Sequence, residues 1–134
     1  MVAIHEAGHA VTSHVLGRRV LSASIVRGEW SAGRVTYYSS RRSSKMMGGR
    51  SVRTIEREIM VNLAGAEAAH QVCNDHLRVE RGTRDDYEHA FELAALLSFG
   101  GFLDPDEARA RVAWLRVRAR NLVTEPLWWS AMSA

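Results

Sequence analysis

His5-Glu6-Ala7-Gly8-His9 sits inside the run Val2 to Leu16, where Ile4, Val11 and Val15 recur at helical spacing and Gly17 stands where a helix would stop. On a helix, two histidines four apart are separated by about 40° of rotation and about 6 Å of rise, so both imidazoles can reach one ion. Glu6, directly after the first histidine, falls near the same face, close enough to take a proton from a metal-activated water without itself binding the metal. Ala7 and Gly8 are small and leave room above the helix for a substrate or another element. With six His and ten Glu in 134 residues, an accidental HExxH is expected in about 2% of such chains. Coincidence is a poor explanation, and a helix with two histidines that bind nothing is the weaker reading. Two imidazoles with a carboxylate suit zinc, although iron or nickel could use the same donors.

Working outward, Val20 to Val26 is β-branched and alternating, Gly28 to Gly33 supplies turn residues, and Arg34 to Tyr38 alternates again, which predicts a hairpin or small sheet. Ser39 to Arg50 is polar and basic without periodicity, the pattern of a loop. Val52, Ile55, Ile59, Leu63 and Ala66 make one stripe of a helix from about Ser51 to Cys73, expected to pack on the motif helix. Tyr87, Ala90, Phe91, Ala94 and Leu97 mark a further helix ended by Gly100 and Gly101. Asp104, Pro105 and Glu107 then supply an N-cap, a first-turn proline and a capping-box partner for a last long helix. The fold class expected is α+β: a mainly helical domain with a small β-sheet or hairpin beside the HExxH helix, one domain over residues 1–134.

Composition is ordinary for a soluble domain, with 46% hydrophobic and 25% charged residues. No stretch approaches the roughly 18 apolar residues of a membrane span, and nothing reads as a secretion signal. A single cysteine, Cys73, rules out an internal disulfide and fits a cytoplasmic location. The formal charge of +3 is a mild excess. Arg41, Arg42, Lys45, Arg50 and Arg53 could draw phosphates, but no aromatic interleaving accompanies them, so nucleic acid is disfavoured as a partner. On the last helix Arg109, Arg116 and Arg120 flank one side of the Ala108, Val112, Leu115, Ala119 and Leu122 stripe and Arg111 and Arg118 the other, which argues against one binding stripe. Ala113, Trp114, Val117, Leu127, Trp128 and Trp129 add apolar surface for core or for another subunit.

A catalytic zinc site usually takes three protein ligands and leaves one position open. His14 lies about 180° around the helix from His5 and points away. Glu67, His70, Asp75, His76, Asp85, Asp86, Glu88 and His89 remain as candidates, and spacing does not choose among them. Asp86 has a competing role too, as the third residue of a capping box begun by Thr83.

The segments HEAGHA (5–10), AGRVTYY (32–38), LAGAEAA (63–69) and GTRDDYEHAFELA (82–94) together resemble the peptidase domain of the FtsH-type membrane-anchored, ATP-dependent zinc proteases, over roughly Val2 to Val123. The resemblance implies a mostly helical domain with a small sheet and a third zinc ligand that is an Asp near the start of a later helix. In that family the Asp follows an Asn, with Ala four residues on and Leu and Ala seven and eight on. Asp86, followed by Ala90, Leu93 and Ala94, fits that register, with Asp85 at the Asn position. The chain departs from the family at Ala69 and His70, where paired Glu are usual, and at Arg34, where a glycine precedes the Val-Thr pair.

The expected function is therefore a zinc metallopeptidase acting on flexible or unfolded polypeptides, with His5, His9 and Asp86 holding Zn2+ and Glu6 as general base. Tyr37, Tyr38 and His89 are candidates for a second electrophile, and Arg34 to Tyr38 is where the resemblance places an extended substrate. No G-x-x-x-x-G-K-[ST] loop occurs, so homo-oligomers or a separate ATPase are the partners to expect besides substrate. The alternative is a catalytically inactive, zinc-stabilised binding or regulatory module with a protein or nucleic-acid partner. Retention of Glu6 weighs against it, because a structural site has no use for a base.

Overall fold

The computed structural model describes residues 1–26, 33–37, 51–98 and 104–134. The turn at 28–32, Tyr38, the basic loop at 39–50 and the Gly100-Gly101 stop lie outside these residues. In chain order the elements are α1 (Val2–Val15), β1 (Val20–Ser24), β2 (Arg34–Tyr37), α2 (Val52–Val72), α3 (His76–Gly82), α4 (Arg84–Ala95), α5 (Pro105–Val123) and α6 (Pro126–Ser133). The fold is thus mainly helical with one small antiparallel sheet.

Local chemistry sets the boundaries. Gly17 takes φ 77 after α1, which costs a glycine little. Its N–H donates to the carbonyl of His14 and that of Arg18 to Ser13, closing the helix with a Schellman motif. β1 and β2 pair from Val20↔Tyr37 to Ser24↔Arg34 with an irregularity between Val20 and Ser22. The first strand stops at Ser24 and not at Val26, because the Ser24 hydroxyl accepts the Val26 N–H at 3.1 Å and turns the chain. Ser51 Oγ caps α2 by accepting from Thr54 N. Asp104 Oδ1 caps α5 by accepting from Asp106 N and Glu107 N, with Pro105 in the first turn. Glu125 and Pro126 repeat that device at α6.

α2 is the central helix and is buried almost without interruption from Ile59 to Ala69. The stripe read from the sequence is real, but it does not carry the contact with the motif helix. Ile55, Ile59 and Leu63 pack with Ala90, Leu93 and Ala94 of α4 and Ala108, Leu115 and Ala119 of α5, while Val52 is exposed. The motif helix instead lies on the small-residue side, where Ala64 and Ala68 meet Ile4, Ala7 and Val11, with Val123 and Met132 closing the cluster. The reason is steric. A Cβ on Gly8 would stand 2.7 Å from the Ala64 carbonyl oxygen and 2.9 Å from the Ala68 Cβ, so only glycine permits the two helix backbones to cross this closely. The space above Gly8 is filled by another element, α2.

Three of the arginines of α5 are used within the domain. Arg111 pairs with Glu56 at 2.8 Å, Arg116 with the buried Glu67, and Arg118 stacks over Trp114. Trp114, Val117 and Leu127 are exposed, so they do not extend the core. No helix of the described residues is long and apolar enough to cross a membrane.

Candidate metal centre

α1 presents His5 and His9 on one side, and their Nε2 atoms lie 2.9 Å apart with the rings nearly perpendicular. From α4, Asp86 Oδ2 comes within 3.2 Å of His5 Nε2 and 3.5 Å of His9 Nε2. Ligands about 2.0–2.1 Å from a tetrahedral ion are about 3.3 Å from one another, and the three observed edges bracket that value. Among the described residues these three form the one group of three or more His, Cys, Asp or Glu side chains whose donor atoms are close enough to share an ion. The donor set is two imidazoles and a carboxylate.

The nearest support comes from α2. His9 Nδ1 lies 2.7 Å from the Val61 carbonyl oxygen; a carbonyl can only accept, so Nδ1 carries the proton. That leaves Nε2 free to act as a ligand, the usual role of an outer hydrogen bond to a metal-binding histidine. Gly65, one turn further along α2, makes room for both rings: a Cβ there would lie 2.5 Å from His9 Nε2 and 2.7 Å from His5 Cε1.

Electrostatics bind the group together without an ion. Burial alone would raise the Asp86 pKa, but hydrogen bonds from His5 and His9, and their charge, hold it far below the ordinary carboxylate range. For His9, burial favours the neutral ring; hydrogen bonding and attraction to Asp86, the Val61 carbonyl and Glu6 outweigh it and raise the pKa. Asp86 is therefore ionised near neutrality and presents an anionic donor beside the two imidazoles.

Glu6 is buried beside this group. Burial raises its pKa, His9 and His5 oppose the shift, and Asp86 adds to it. A carboxyl with a raised pKa is a better proton acceptor near neutrality than an exposed one. Gly33, just before β2, lies against it: a Cβ at Gly33 would meet Glu6 Oε1 at 2.6 Å. Together these side chains line a cleft of about 440 Å³, walled also by Arg34 and Val35 of β2, Asn62 of α2, and Gly82 and Thr83.

The other candidates are engaged elsewhere. Glu67 is buried against Arg116, His70 contacts His76, Asp75 caps α3, Glu88 pairs with Arg84 and His89 with Glu92. Asp85 is exposed at the cleft rim and outside the donor group. His14 is exposed, facing away as its spacing requires. The competing capping box at Thr83 is absent, because the Thr83 hydroxyl donates to the Val79 carbonyl at 2.9 Å. His89 does not line the cleft, Tyr38 lies outside the described residues, and Tyr37 is described only as backbone of β2. Val61, Gly65 and Gly33 were not singled out from the sequence; their roles rest on backbone positions, and only the small-residue run 63–69 hinted at them. No family model matches the chain, and no curated protein matches it.

Proposed function

We propose that the chain is a zinc-dependent metallopeptidase that hydrolyses flexible or unfolded polypeptides, with His5, His9 and Asp86 as metal ligands and Glu6 as general base. The observation that carries this reading is the convergence of three donor atoms at 2.9–3.5 Å with a separate, buried carboxylate on the same cleft. Zinc is the ion that two imidazoles and one carboxylate suit best, and when bound it supplies Lewis acidity toward a water and a peptide carbonyl. Glu6 then takes the proton of the attacking water and returns it to the leaving amine. The Val61 carbonyl keeps the His9 imidazole in the tautomer and orientation that ligation through Nε2 needs. β2 borders the cleft, so an extended peptide lying there meets strand backbone, the β-addition mode of recognition. The resemblance of the HEAGHA and 82–94 segments to the FtsH-type peptidases points the same way.

Metal content and peptidase rate measured on Glu6→Gln, Asp86→Asn and Asp85→Asn test the reading. Glu6→Gln is expected to keep the metal and lose hydrolysis; Asp86→Asn is expected to lose metal, and Asp85→Asn to keep it. Equal hydrolysis by wild type and Glu6→Gln would remove Glu6 as the base, and no hydrolysis by metal-loaded wild type would leave only a metal-stabilised binding module. Metal retained by Asp86→Asn would remove the third ligand.

A further inference from the structure

A second pair of imidazoles meets outside the cleft. His70 lies in the last turn of α2 and His76 is the first residue of α3. Their Nδ1 atoms are 3.0 Å apart, with ring centroids at 5.1 Å and planes tilted by 33°. The turn between them is held by backbone needs: Cys73 is extended, and Asp75 caps α3 by accepting the Arg78 N–H. The His70 Nε2 is the inward nitrogen, buried without a hydrogen-bond partner among the described residues. Nδ1 is thus its outward nitrogen, and His76 is exposed. Burial, with Arg116 and His76 adding to it and Glu67 opposing, lowers the His70 pKa and favours the neutral form that binds metals.

Two nitrogens 3.0 Å apart can both lie about 2.0–2.1 Å from one ion, and among divalent first-row ions copper(II), followed by nickel(II), stands high in affinity for imidazole donors. We propose that His70 and His76 form a second metal site, separate from the His5, His9 and Asp86 group, for a divalent ion of the copper(II) or nickel(II) class, with solvent completing its coordination. An ion held there ties the end of α2 to the start of α3. The far end of α3 leads into Gly82 and Thr83 on the cleft wall.

The test is a Cu2+ titration of metal-free wild type, His76→Gln and His9→Ala, followed by electron paramagnetic resonance, with circular dichroism to verify folding. His76 is exposed, so its replacement leaves the core intact. Wild type is expected to bind one more equivalent than His76→Gln, with coupling to two imidazole nitrogens. Any residual binding at His70 is expected to be about tenfold weaker or more, the scale on which lost partners of a metal ligand matter. His9→Ala must keep this equivalent, which separates the site from the cleft. Equal Cu2+ uptake by wild type and His76→Gln, loss of the same equivalent in His9→Ala, or single-nitrogen coupling overturns the proposal.

Discussion

Gly65 stands so close to His9 that a Cβ on it would lie 2.5 Å from the imidazole Nε2. The ring has no path of retreat, because its opposite edge is held by the Val61 carbonyl at 2.7 Å. Gly65→Ala is therefore expected to weaken metal binding by about 10- to 100-fold, the range seen when the supporting shell of a metal ligand is disturbed. The extra methyl also overpacks the helix crossing, at a cost of about 1–3 kcal/mol. Chelator competition and thermal melting of the metal-free protein measure the two effects. An unchanged metal affinity would show that the rings have more freedom than the helix crossing allows.

Gly33 holds the equivalent place for Glu6, the proposed base. A side chain there would collide with Oε1, Cγ and Cδ of Glu6, and Glu6 is the partner able to move. Gly33→Ala should leave the three ligands undisturbed while pushing the carboxylate away from the reacting water. Displacement of a catalytic group by about 1 Å can cost about 10²-fold in rate. The expected outcome is full metal content with kcat down by about two orders of magnitude. Wild-type turnover in Gly33→Ala would argue that Glu6 does not act from its observed position.

Local signals were legible in the sequence and tertiary ones were not. The motif helix, both strands and the starts of α2 and α5 are written in periodicity, alternation and the Asp104 cap. α3 left no such trace, because Val79 is its single buried residue. α6 carried the same Glu-Pro start as the Asp104-Pro105 pair yet was not separated from α5, since only Thr124 and Glu125 lie between them. The choice between Asp85 and Asp86 depends on which side of α4 faces α1, and spacing within α4 carries no information about that. It took the register of the resembling family to favour Asp86, and it is Asp86 that lies beside both imidazoles. α2 packs on the motif helix as expected, but through Ala64 and Ala68, beside the stripe of large apolar residues. A large apolar stripe says that a helix is buried there, whereas close helix crossing is decided by small residues such as Gly8 and Gly65.

The Glu67–Arg116 pair makes an asymmetric stability prediction. The Glu67 side chain is 4% exposed and that of Arg116 41%, and the Arg116 guanidinium also lies 5.3 Å above the Tyr87 ring. Removing Arg116 strands a buried carboxylate, whereas neutralising Glu67 leaves a guanidinium that reaches solvent. Breaking a fully buried pair costs about 3–5 kcal/mol; partial exposure of Arg116 reduces this to about 2–3 kcal/mol for Arg116→Ala, against about 1 kcal/mol for Glu67→Gln. Urea unfolding of the two variants measures the difference. A larger loss in Glu67→Gln would mean that the arginine, and not the carboxylate, is the group that burial penalises.

The last prediction concerns which substrates the proposed peptidase would cut unaided. The FtsH-type enzymes it resembles couple peptide hydrolysis to an ATPase that unfolds the target, and no phosphate-binding loop of the G-x-x-x-x-G-K-[ST] form occurs in these 134 residues. Unfolding a typical domain takes about 5–15 kcal/mol, so a peptidase without a motor acts only on segments that are already open or on rare open states. The cleft of about 440 Å³ has room for a short run of extended chain, not for a folded domain. Cleavage of a casein-like unstructured protein is therefore expected to proceed without ATP, while a tightly folded domain stays intact over the same time. Rates on the two substrates, each with and without ATP, decide the matter. Acceleration by ATP in the purified chain, or comparable cleavage of folded and unfolded substrates, would show that target opening is supplied by this chain itself and that the division of labour argued here is wrong.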